Sequence, residues 1–359
     1  MLHTEAGGGV GGPGGVGGGV EPALGDGRAT FRTMRRWRVH ELGEPDQVMA
    51  LEEIDRPEPG PGQVAIDVGA VGLNFPDVLQ IRGGYQVKPP LPFTPGGEIA
   101  GTIGAVGDGV TGWSVGDRVL WMGNGGLSER VLAAASAPFP LPDSMPFDKA
   151  AALLTNYGTT LFALRDRAHL AAGETMLVHA GAGGIGSSAI QIGKAMGATV
   201  YATAGGPEKK AILERLGVDA AIDYLNEDFV EVVKDLTGGK GVDVIYDPVG
   251  GDTFDRSRKV IGWDGRILII GFTSGRIADC PTNHVLLKNY SLVGVHWGAS
   301  LGRNPGALRA AFDDLCVLWD NGGIDPLIMK TTPMAEAPQS LMALSSRASY
   351  GKIVIAPGA

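Results

Sequence analysis

Apolar residues follow different patterns in the first and second parts of the chain. Before about residue 157, short apolar runs alternate with turns, as at 64–71, and glycines interrupt the run at 98–107. Beyond it, apolar runs of four or five residues alternate with longer stretches whose apolar positions recur at helical spacing. The first pattern predicts a β-rich region with few helices, and the second predicts strands that alternate with helices.

The alternating region contains a series of candidate strands separated by candidate helices. Strands are predicted at 175–179, 199–202, 220–223, 242–246, 266–270 and 291–295, and helices at 185–196, 207–216 and 227–236. This repetition predicts a doubly wound parallel sheet of the Rossmann kind. After residue 300, helices at 305–319 and 335–346 precede a last strand at 352–355.

A cluster of glycines follows the strand predicted at 175–179. Gly181, Gly183 and Gly186 fit the spacing G-x-G-x-x-G, with Gly184 and Ile185 between them. In that spacing the glycines permit a tight turn, close approach of the backbone to a pyrophosphate, and close packing of helix on strand. Because the phosphates would lie at the N-terminus of the following helix, the pattern predicts a dinucleotide site.

The longer string at 173–194, GETMLVHAGAGGIGSSAIQIGK, is more specific than the glycines alone. It resembles the signature of the quinone oxidoreductase/zeta-crystallin branch of the medium-chain dehydrogenase/reductases, and the resemblance extends from about residue 34 to the C-terminus. The family implies an α/β fold in which a GroES-like, β-rich catalytic domain accompanies the Rossmann domain, with the substrate cleft between them. The domains expected on this basis are a disordered glycine-rich tail at 1–33, a catalytic domain at 34–157 and 300–359, and an NADPH-binding Rossmann domain at 158–299.

The end of the second strand of the alternating region bears on the choice of dinucleotide. Folds that prefer NAD carry an acid about 20 residues beyond the glycines, where it binds the ribose 2′-hydroxyl. Here Ala202 is followed by Thr-Ala-Gly-Gly, and the absence of a carboxylate removes repulsion of a 2′-phosphate. In the NADPH-using relatives, residues that match Gly205, Lys209 and Tyr224 hold this phosphate. The alternative is that Lys209 belongs to a solvated helix face.

The resemblance implies further cofactor contacts. They are Thr159, Asp247, Gly271, Phe272, Asn289 and Lys352. Asp247 and the pair Gly271–Phe272 end predicted strands, at the carboxyl edge where parallel sheets bind their ligands. For Asp247, a strand-end cap is an equally good alternative.

The segment at 74–85, NFPDVLQIRGGY, contains the candidate catalytic residues Asn74, Asp77 and Tyr85. It is similar to the matching segment of metal-free quinone reductases, and a Tyr in the matching place is the proposed proton donor of mitochondrial-type enoyl thioester reductases. A phenol is protonated at neutral pH, so Tyr85 can donate a proton, whereas Asp77 is expected to be ionised and to orient other groups. The structural alternatives are a turn residue for Asn74, a helix cap for Asp77 and a packing aromatic for Tyr85.

The sequence predicts no metal site. Zinc-containing relatives place a Cys at the position of Asn74 and a His at that of Gly97, and a catalytic zinc needs three protein ligands. The two cysteines, Cys280 and Cys316, cannot form a four-cysteine structural site. Without a Lewis acid the oxidation of alcohols is poorly supported, but a reduced nicotinamide can deliver hydride to a quinone or an α,β-unsaturated carbonyl.

The composition restricts location and partners. A net charge of −9 argues against a nucleic acid or an anionic membrane as partner. No apolar run approaches the roughly 18 residues of a membrane span, and two cysteines do not suggest a disulfide framework, so we expect a cytoplasmic protein. The strand at 291–295 is expected to pair with its copy in a homodimer, as in the family.

The predicted function is therefore zinc-independent, NADPH-dependent reduction of quinones or α,β-unsaturated carbonyls. Two alternatives stay open. A 2-enoyl thioester reductase would need a basic entrance for a CoA or carrier-protein phosphate, for which Arg82 and Lys88 are the nearby candidates. A non-enzymatic, crystallin-like NADPH-binding protein would need the fold and the cofactor site but not the catalytic segment.

Overall fold

The computed structural model describes residues 33–346 and 348–358. Its strands are β1 (Thr33–Val39), β2 (Met49–Asp55), β3 (Gln63–Gly72), β4 (Glu98–Val106), β5 (Arg118–Met122), β6 (Arg130–Ala134), β7 (Phe139–Pro140), β8 (Thr175–Val178), β9 (Thr199–Ala204), β10 (Ala220–Asp223), β11 (Val242–Asp247), β12 (Ile261–Ile269), β13 (Ser291–Gly294), β14 (Ile328–Pro333) and β15 (Lys352–Ala356). Of the tail expected at 1–33, Thr33 begins β1 and the rest lies outside the described residues.

Helices occupy most of the connections between these strands. They are α1 (Pro45–Val48), α2 (Phe75–Ile81), α3 (Phe147–Ala150), α4 (Thr159–Leu161), α5 (Gly184–Ala195), α6 (Pro207–Arg215), α7 (Phe229–Thr237), α8 (Gly251–Ser257), α9 (Thr282–Lys288), α10 (Trp297–Arg303), α11 (Ala307–Asp320) and α12 (Ala337–Ser345). π-helical turns at Leu154–Gly158 and Phe162–Arg167 flank α4, and a 3₁₀ turn at Met334–Glu336 precedes α12.

The second part of the chain forms a six-stranded sheet in the order β10-β9-β8-β11-β12-β13, with every neighbouring pair parallel. Strands on the two sides of the β8–β11 junction extend the sheet in opposite directions, so the sheet is doubly wound and its ligand crevice is expected at the carboxyl ends beside that junction. The central strands carry continuous buried apolar runs, 176–178 in β8 and 244–246 in β11, as expected where helices cover both faces of a sheet. This confirms the Rossmann part of the predicted fold class.

The largest differences from the predicted elements lie near β12 and β13. β12 begins at Ile261 rather than 266. The first residues of β12 do not show the apolar pattern of a buried strand, because Trp263 is exposed and Asp264 adopts a positive φ of 61°. α9 has no buried residue, so no amphipathic pattern indicated a helix there.

The remaining strands form the predicted β-rich part. A seven-stranded sheet has the order β14-β15-β3-β4-β5-β7, with β6 paired to β3, and β1 and β2 form a separate hairpin. β15 pairs with β3 through Val354 and Gly72, so strands that precede and follow the parallel sheet along the chain share one sheet. The α/β fold class, with a β-rich part beside the parallel sheet, is thereby confirmed.

One cluster of buried apolar side chains extends across both sheets. It includes Leu120 of β5 and Val354 of β15 from one sheet, Val178 of β8 from the other, and Tyr157 from the segment that connects them. Because this core is continuous, burial of apolar surface stabilises the packing of the two sheets as well as each sheet alone.

A buried histidine follows the central strand β8. His179 Nε2 lies 2.8 Å from Ser257 Oγ, which itself donates to the carbonyl of Thr253, and His179 Nδ1 lies 3.0 Å from Thr203 Oγ1. Burial lowers the pKa of His179 to about 4. The imidazole is therefore neutral at neutral pH, with Nε2 donating to Ser257 and Nδ1 accepting from Thr203.

Within the described part of the chain, no helix combines the length and the apolar character that crossing a bilayer requires.

Candidate active site

The glycine turn lies between β8 and α5, at the carboxyl edge of the parallel sheet. Gly183 is the N-cap of α5, and Gly184 and Ile185 begin the helix. A Cβ on Gly186 would lie 2.2 Å from the carbonyl oxygen of Ala180, and one on Gly181 would lie 2.8 Å from a Leu213 methyl. The predicted glycines therefore allow close packing of α5 on the turn, and backbone N–H groups at the start of α5 are left for an anion.

A second backbone segment contacts this turn from the seven-stranded sheet. Gly351 donates its N–H to the carbonyl of Ala182 at 2.7 Å and forms a parallel bridge with Gly183. Gly351 has a φ of 49°, and a Cβ on Gly184 would lie 3.1 Å from the Gly351 oxygen. Gly351 on one side and Gly183 and Gly184 on the other thus permit the two sheets to approach closely at this point.

The structure brings together the residues expected to hold a 2′-phosphate. The hydroxyl of Tyr224 lies 2.7 Å from where a Cβ of Gly205 would be, so the tyrosine fits against Gly205 only because that residue has no side chain. Lys209 is in the first turn of α6, which Gly206 caps with a φ of 87°. β9 ends at Ala204 without an acid, in agreement with the predicted preference for a phosphorylated ribose.

Asp223 holds the backbone around Gly205 and Tyr224, although it was not predicted as a site residue. Its carboxylate accepts from the N–H groups of Gly206 at 2.7 Å and Leu225 at 3.1 Å and from the Asn226 side chain at 2.7 Å. The hydrogen bond from Gly206, together with the others, lowers the pKa of Asp223. An acid that ends a strand and is followed by Tyr-Leu-Asn was the available signal.

Asp247 ends β11 and is almost fully buried. Its Oδ1 accepts from the N–H groups of Val249 and Gly250 at 2.8 and 2.9 Å, so this oxygen caps the end of the strand, as the alternative interpretation of Asp247 predicted. Its Oδ2 is buried and has no hydrogen-bond partner among the described residues. Gly271 and Phe272 follow β12 at the same edge, and the Phe272 ring lies 3.1 Å from where a Cβ of Gly250 would be.

A second buried polar atom without a partner lies near Thr159. The Thr159 hydroxyl, at the start of α4, donates to the carbonyl of Thr155 at 2.6 Å. Trp297 lies beyond the carboxyl end of β13, packs against Gly158 and Phe162, and has a buried Nε1 that lacks a partner within the described residues. Asp247 Oδ2 is an acceptor and Trp297 Nε1 a donor, so the carboxyl edge fits a ligand that carries both kinds of polar group.

The candidate catalytic residues lie at and beyond the two ends of α2. Asn74 is the N-cap, and its backbone N–H donates to Asp77 Oδ2 at 2.7 Å, so Asp77 also acts as a cap. Burial raises the pKa of Asp77 to about 6, against the opposing effects of the Asn74 N–H and the Lys352 charge. Burial and the charge of Asp77 raise the pKa of Tyr85, which therefore keeps its proton at neutral pH.

The Asn74 side chain is held on all sides. Its Nδ2 donates to the Gly72 carbonyl at 3.1 Å and to Glu98 Oε2 at 3.2 Å, and its Oδ1 accepts from Lys352 Nζ at 2.5 Å. Both amide protons are therefore engaged within the protein. Asn74, predicted as a catalytic residue, therefore has no amide proton left to donate to an acceptor.

Lys352, expected to bind the cofactor, instead forms a buried ion pair with Glu98 at 2.9 Å. Lys352 is 3% exposed and Glu98 is fully buried. The other carboxylate oxygen of Glu98 accepts from the N–H of Thr155 at 2.9 Å. Glu98 was missed as a site residue, although a single charge at the start of the otherwise uncharged strand β4 was a usable signal.

Asn289 does not belong to this site. It precedes β13 and therefore lies at the amino edge of the sheet, a strand length from the glycine turn. Its φ of 51° makes it the left-handed C-cap of α9, and its side chain donates to Asp264. The expectation that it contacts the cofactor is wrong for this reason.

The amino edge also contains a cavity of about 520 Å³. Thr175, Tyr201, Lys240 and Trp263 are among its lining residues. None of them belongs to the candidate site, which lies at the opposite ends of the strands.

Among residues 33–346 and 348–358, no group of three or more His, Cys, Asp or Glu side chains is arranged to hold a metal ion.

Two family models match the chain. The alcohol dehydrogenase GroES-like domain matches residues 60–143, and the zinc-binding dehydrogenase matches residues 184–313. A quinone oxidoreductase-like protein 2 homolog from Nematostella vectensis is 37% identical over 332 residues, which cover 92% of this chain and 90% of the relative.

Solved structures give the same assignment. The quinone oxidoreductase of Escherichia coli, complexed with NADPH, is 30% identical with a TM-score of 0.80 and covers 90% of this chain and 100% of its own. The CurK enoyl reductase is also 30% identical with a TM-score of 0.80, covering 90% of this chain and 99% of its own. With its glycine turn, its two sheets and these relatives, the chain belongs to the quinone oxidoreductase family of the medium-chain dehydrogenase/reductases, a superfamily of oxidoreductases.

Proposed function

We propose that this protein transfers hydride from NADPH to quinones or α,β-unsaturated carbonyl compounds without a metal ion. The observation that carries the proposal is the contact made by two consecutive residues. Gly351 hydrogen-bonds the glycine turn, and Lys352 hydrogen-bonds Asn74 at the start of α2. Since consecutive Cα atoms are about 3.8 Å apart, the contacts to the dinucleotide turn and to the start of the catalytic segment come from closely spaced points of one backbone.

The residues present fit NADPH as the cofactor. Gly205, Lys209 and Tyr224 lie together beyond β9 and β10, where a 2′-phosphate would need a cation and a hydroxyl. The unpaired Asp247 Oδ2 can accept from a hydroxyl, and the unpaired Trp297 Nε1 can donate to a carbonyl oxygen. When bound, NADPH supplies a hydride, which reduces the acceptor by two electrons. The solved relative from Escherichia coli, complexed with NADPH, supports this choice.

The protein's own task is to supply a proton and to stabilise the negative charge that gathers on the acceptor oxygen. Tyr85 suits this task because its hydroxyl is protonated and, within the described residues, has no hydrogen-bond partner that would compete for the proton. With the hydride delivered, a proton from Tyr85 to the acceptor oxygen gives an enol, which tautomerises to the saturated ketone, or completes the reduction of a quinone to a hydroquinone. The tyrosinate then regains its proton from water. Asp77 caps the first turn of α2 and thereby orients the start of the catalytic segment. Its carboxyl group is mostly ionised at neutral pH.

The enoyl thioester alternative is supported by the similarity to the CurK enoyl reductase. However, Arg82, one of the two cations considered for a phosphate entrance, pairs with Glu44 at 2.6 Å and also donates to Ser345. Exposed Lys88 is then the remaining candidate of that pair. A basic entrance is therefore weaker than the sequence suggested, which favours small carbonyl acceptors.

Absorbance of the reduced nicotinamide tests the function with a panel of quinones, enones and enoyl-CoA esters, each with NADPH or NADH. We expect NADPH consumption with 9,10-phenanthrenequinone and with enones, none without an acceptor, and no loss after dialysis against a chelator. NADPH binding without turnover of any acceptor would instead support the non-enzymatic alternative. Turnover restricted to enoyl-CoA esters would support the thioester reductase.

A further inference from the structure

Three elements of the candidate site converge on the ion pair of Lys352 and Glu98. Lys352 Nζ contacts Asn74 Oδ1, which fixes the start of α2. Glu98 Oε1 accepts from the N–H of Thr155, which fixes the π-helical turn that leads to Thr159. Gly351, the residue before Lys352, is bonded to the glycine turn. The pair is thus the point at which cofactor-facing and acceptor-facing elements meet.

Gly72 of β3 lets Lys352 pack closely beside the strand. A Cβ on Gly72 would lie 3.0 Å from Lys352 Cε and 1.7 Å from the carbonyl oxygen of Ala151. The Lys352 side chain therefore crosses β3 where no side chain intervenes. A buried ion pair is a poor device for stability, because desolvation of both charges offsets their attraction. Its position among three site elements indicates a different role.

We propose that Lys352 and Glu98 are positioning residues, which hold Asn74 and the Asp77 end of α2 in register with the glycine turn. The inference rests on the proposed function, since it assigns the pair a part in bringing the acceptor to the cofactor. Neither residue touches the reacting atoms in this scheme. Lys352 acts through Asn74, and Glu98 acts through Asn74 and Thr155.

The pair also sets the electrostatic surroundings of Asp77, which gives the proposal an independent readout. The charged groups that act on Asp77 are Lys352 of β15 and Glu98 of β4, and the charge of Asp77 in turn raises the pKa of Tyr85 beyond α2. The Lys352 charge lowers the pKa of Asp77, and the Glu98 charge raises it. Removal of each partner should therefore move this titration in opposite directions, which loss of packing alone would not do.

The experiment compares Lys352→Met, Glu98→Gln, the double variant and Lys352→Arg. Arg130→Met is the matched control, because Arg130 is 7% exposed, pairs with Asp67 at 2.6 Å and lies in β6, away from Asn74 and Thr155. The Asp77 carboxyl is titrated by carbon NMR and assigned with Asp77→Asn. Single-turnover hydride transfer to an enone and NADPH affinity are measured in parallel.

We expect the pKa of Asp77 to rise in Lys352→Met, to fall in Glu98→Gln and to stay unchanged in Arg130→Met. Hydride transfer should slow by roughly ten- to a hundredfold in Lys352→Met, as for small misplacements of reacting groups. NADPH affinity should change far less, and Lys352→Arg should recover most of the rate. If a single variant fails to fold, the double variant removes both charges together and should still show slow transfer with near-normal affinity.

Shifts of the same sign in both single variants, or an equal shift in Arg130→Met, would overturn the proposal. So would a folded double variant with the normal transfer rate. The titration requires no turnover, so failure of the proposed function is seen separately: the wild-type protein would then oxidise no NADPH with any acceptor, whatever the Asp77 shifts.

Discussion

Tyr85 carries the proton in the proposed reaction, and its removal is the most direct test of the site. Tyr85→Phe removes one oxygen, so packing and thermal stability should change little. Turnover with enones should fall by roughly a hundred- to a thousandfold if the hydroxyl is fully engaged, because an oxyanion donor then contributes roughly 2.7–4 kcal/mol. Quinones should lose less, because water can protonate their products. An equal, mild loss of turnover with all acceptors would mean that Tyr85 only shapes the pocket. No loss of turnover would exclude Tyr85 as the proton donor.

Lys209 is expected to distinguish the two dinucleotides. Lys209→Ala should weaken NADPH binding by roughly 10- to 150-fold, the worth of a charge-assisted contact, and leave NADH nearly unchanged. Lys210→Ala is the control, because Lys210 pairs with Glu227 at 2.8 Å and should not separate the cofactors. Both affinities are measured by fluorescence titration. An equal loss of NADPH and NADH affinity in Lys209→Ala would refute the phosphate contact.

His179 links stability to pH. Its pKa is about 4 in the folded state, against about 6.5 when unfolded, so the unfolded chain binds more protons between these values. The stability that depends on neutral His179 is therefore complete above pH 6.5 and is lost as the pH falls towards 4, by about 3 kcal/mol. Denaturant unfolding of the wild type and of His179→Gln across this window checks the effect. Parallel pH dependence of the two proteins would disprove it.

The glycine turn depends on one close approach between a helix and a strand end. Gly186→Ala would place a Cβ 2.2 Å from the Ala180 oxygen, so α5 must move outward. We expect a loss of about 1–3 kcal/mol in unfolding free energy and weaker NADPH binding, since the N-terminus of α5 moves with the helix. Gly298→Ala in α10 is the control, because a Cβ there meets nothing within 4 Å. Unchanged stability and affinity in Gly186→Ala would contradict this account.

Local patterns were sufficient to predict the glycine turn and the strands of the parallel sheet, apart from the first residues of β12. The apolar runs of β8 and β11 and the spacing of Gly181, Gly183 and Gly186 are properties of short segments. The ion pair of Glu98 and Lys352 joins residues 254 positions apart, and it could not be predicted because the pairing of β15 with β3 arises only in the folded sheet. The helix α9 was not predicted because none of its residues is buried, so its sequence has no apolar pattern at helical spacing.

The proposed homodimer agrees with an exposed apolar surface at the edge of the six-stranded sheet. β13 is the edge strand, with Leu292 41% exposed. Nearby on α9, Leu286 is 79% and Leu287 71% exposed. An unpaired strand edge next to exposed leucines favours association with a second copy through a two-fold axis.

Light scattering at micromolar concentration should therefore give the mass of a dimer. Leu286→Glu combined with Leu287→Glu should shift the protein to monomers, because each buried leucine is worth about 1.5–3 kcal/mol. Val115→Glu, at a residue 69% exposed in the turn before β5, should leave the mass unchanged. A monomer mass for the wild type would count against the dimer.

The backbone contact between Gly351 and the glycine turn has a mechanical consequence. Because a hydrogen bond joins the two sheets at this point, a rigid-body opening of the crevice that kept this bond would pivot close to Gly183. β13 is three strands from β8, about 14 Å at the spacing of neighbouring strands, so the crevice widens least at the pivot and most at that far end. An opening of this kind would admit small molecules beside Trp297 while the phosphate-binding turn stayed closed.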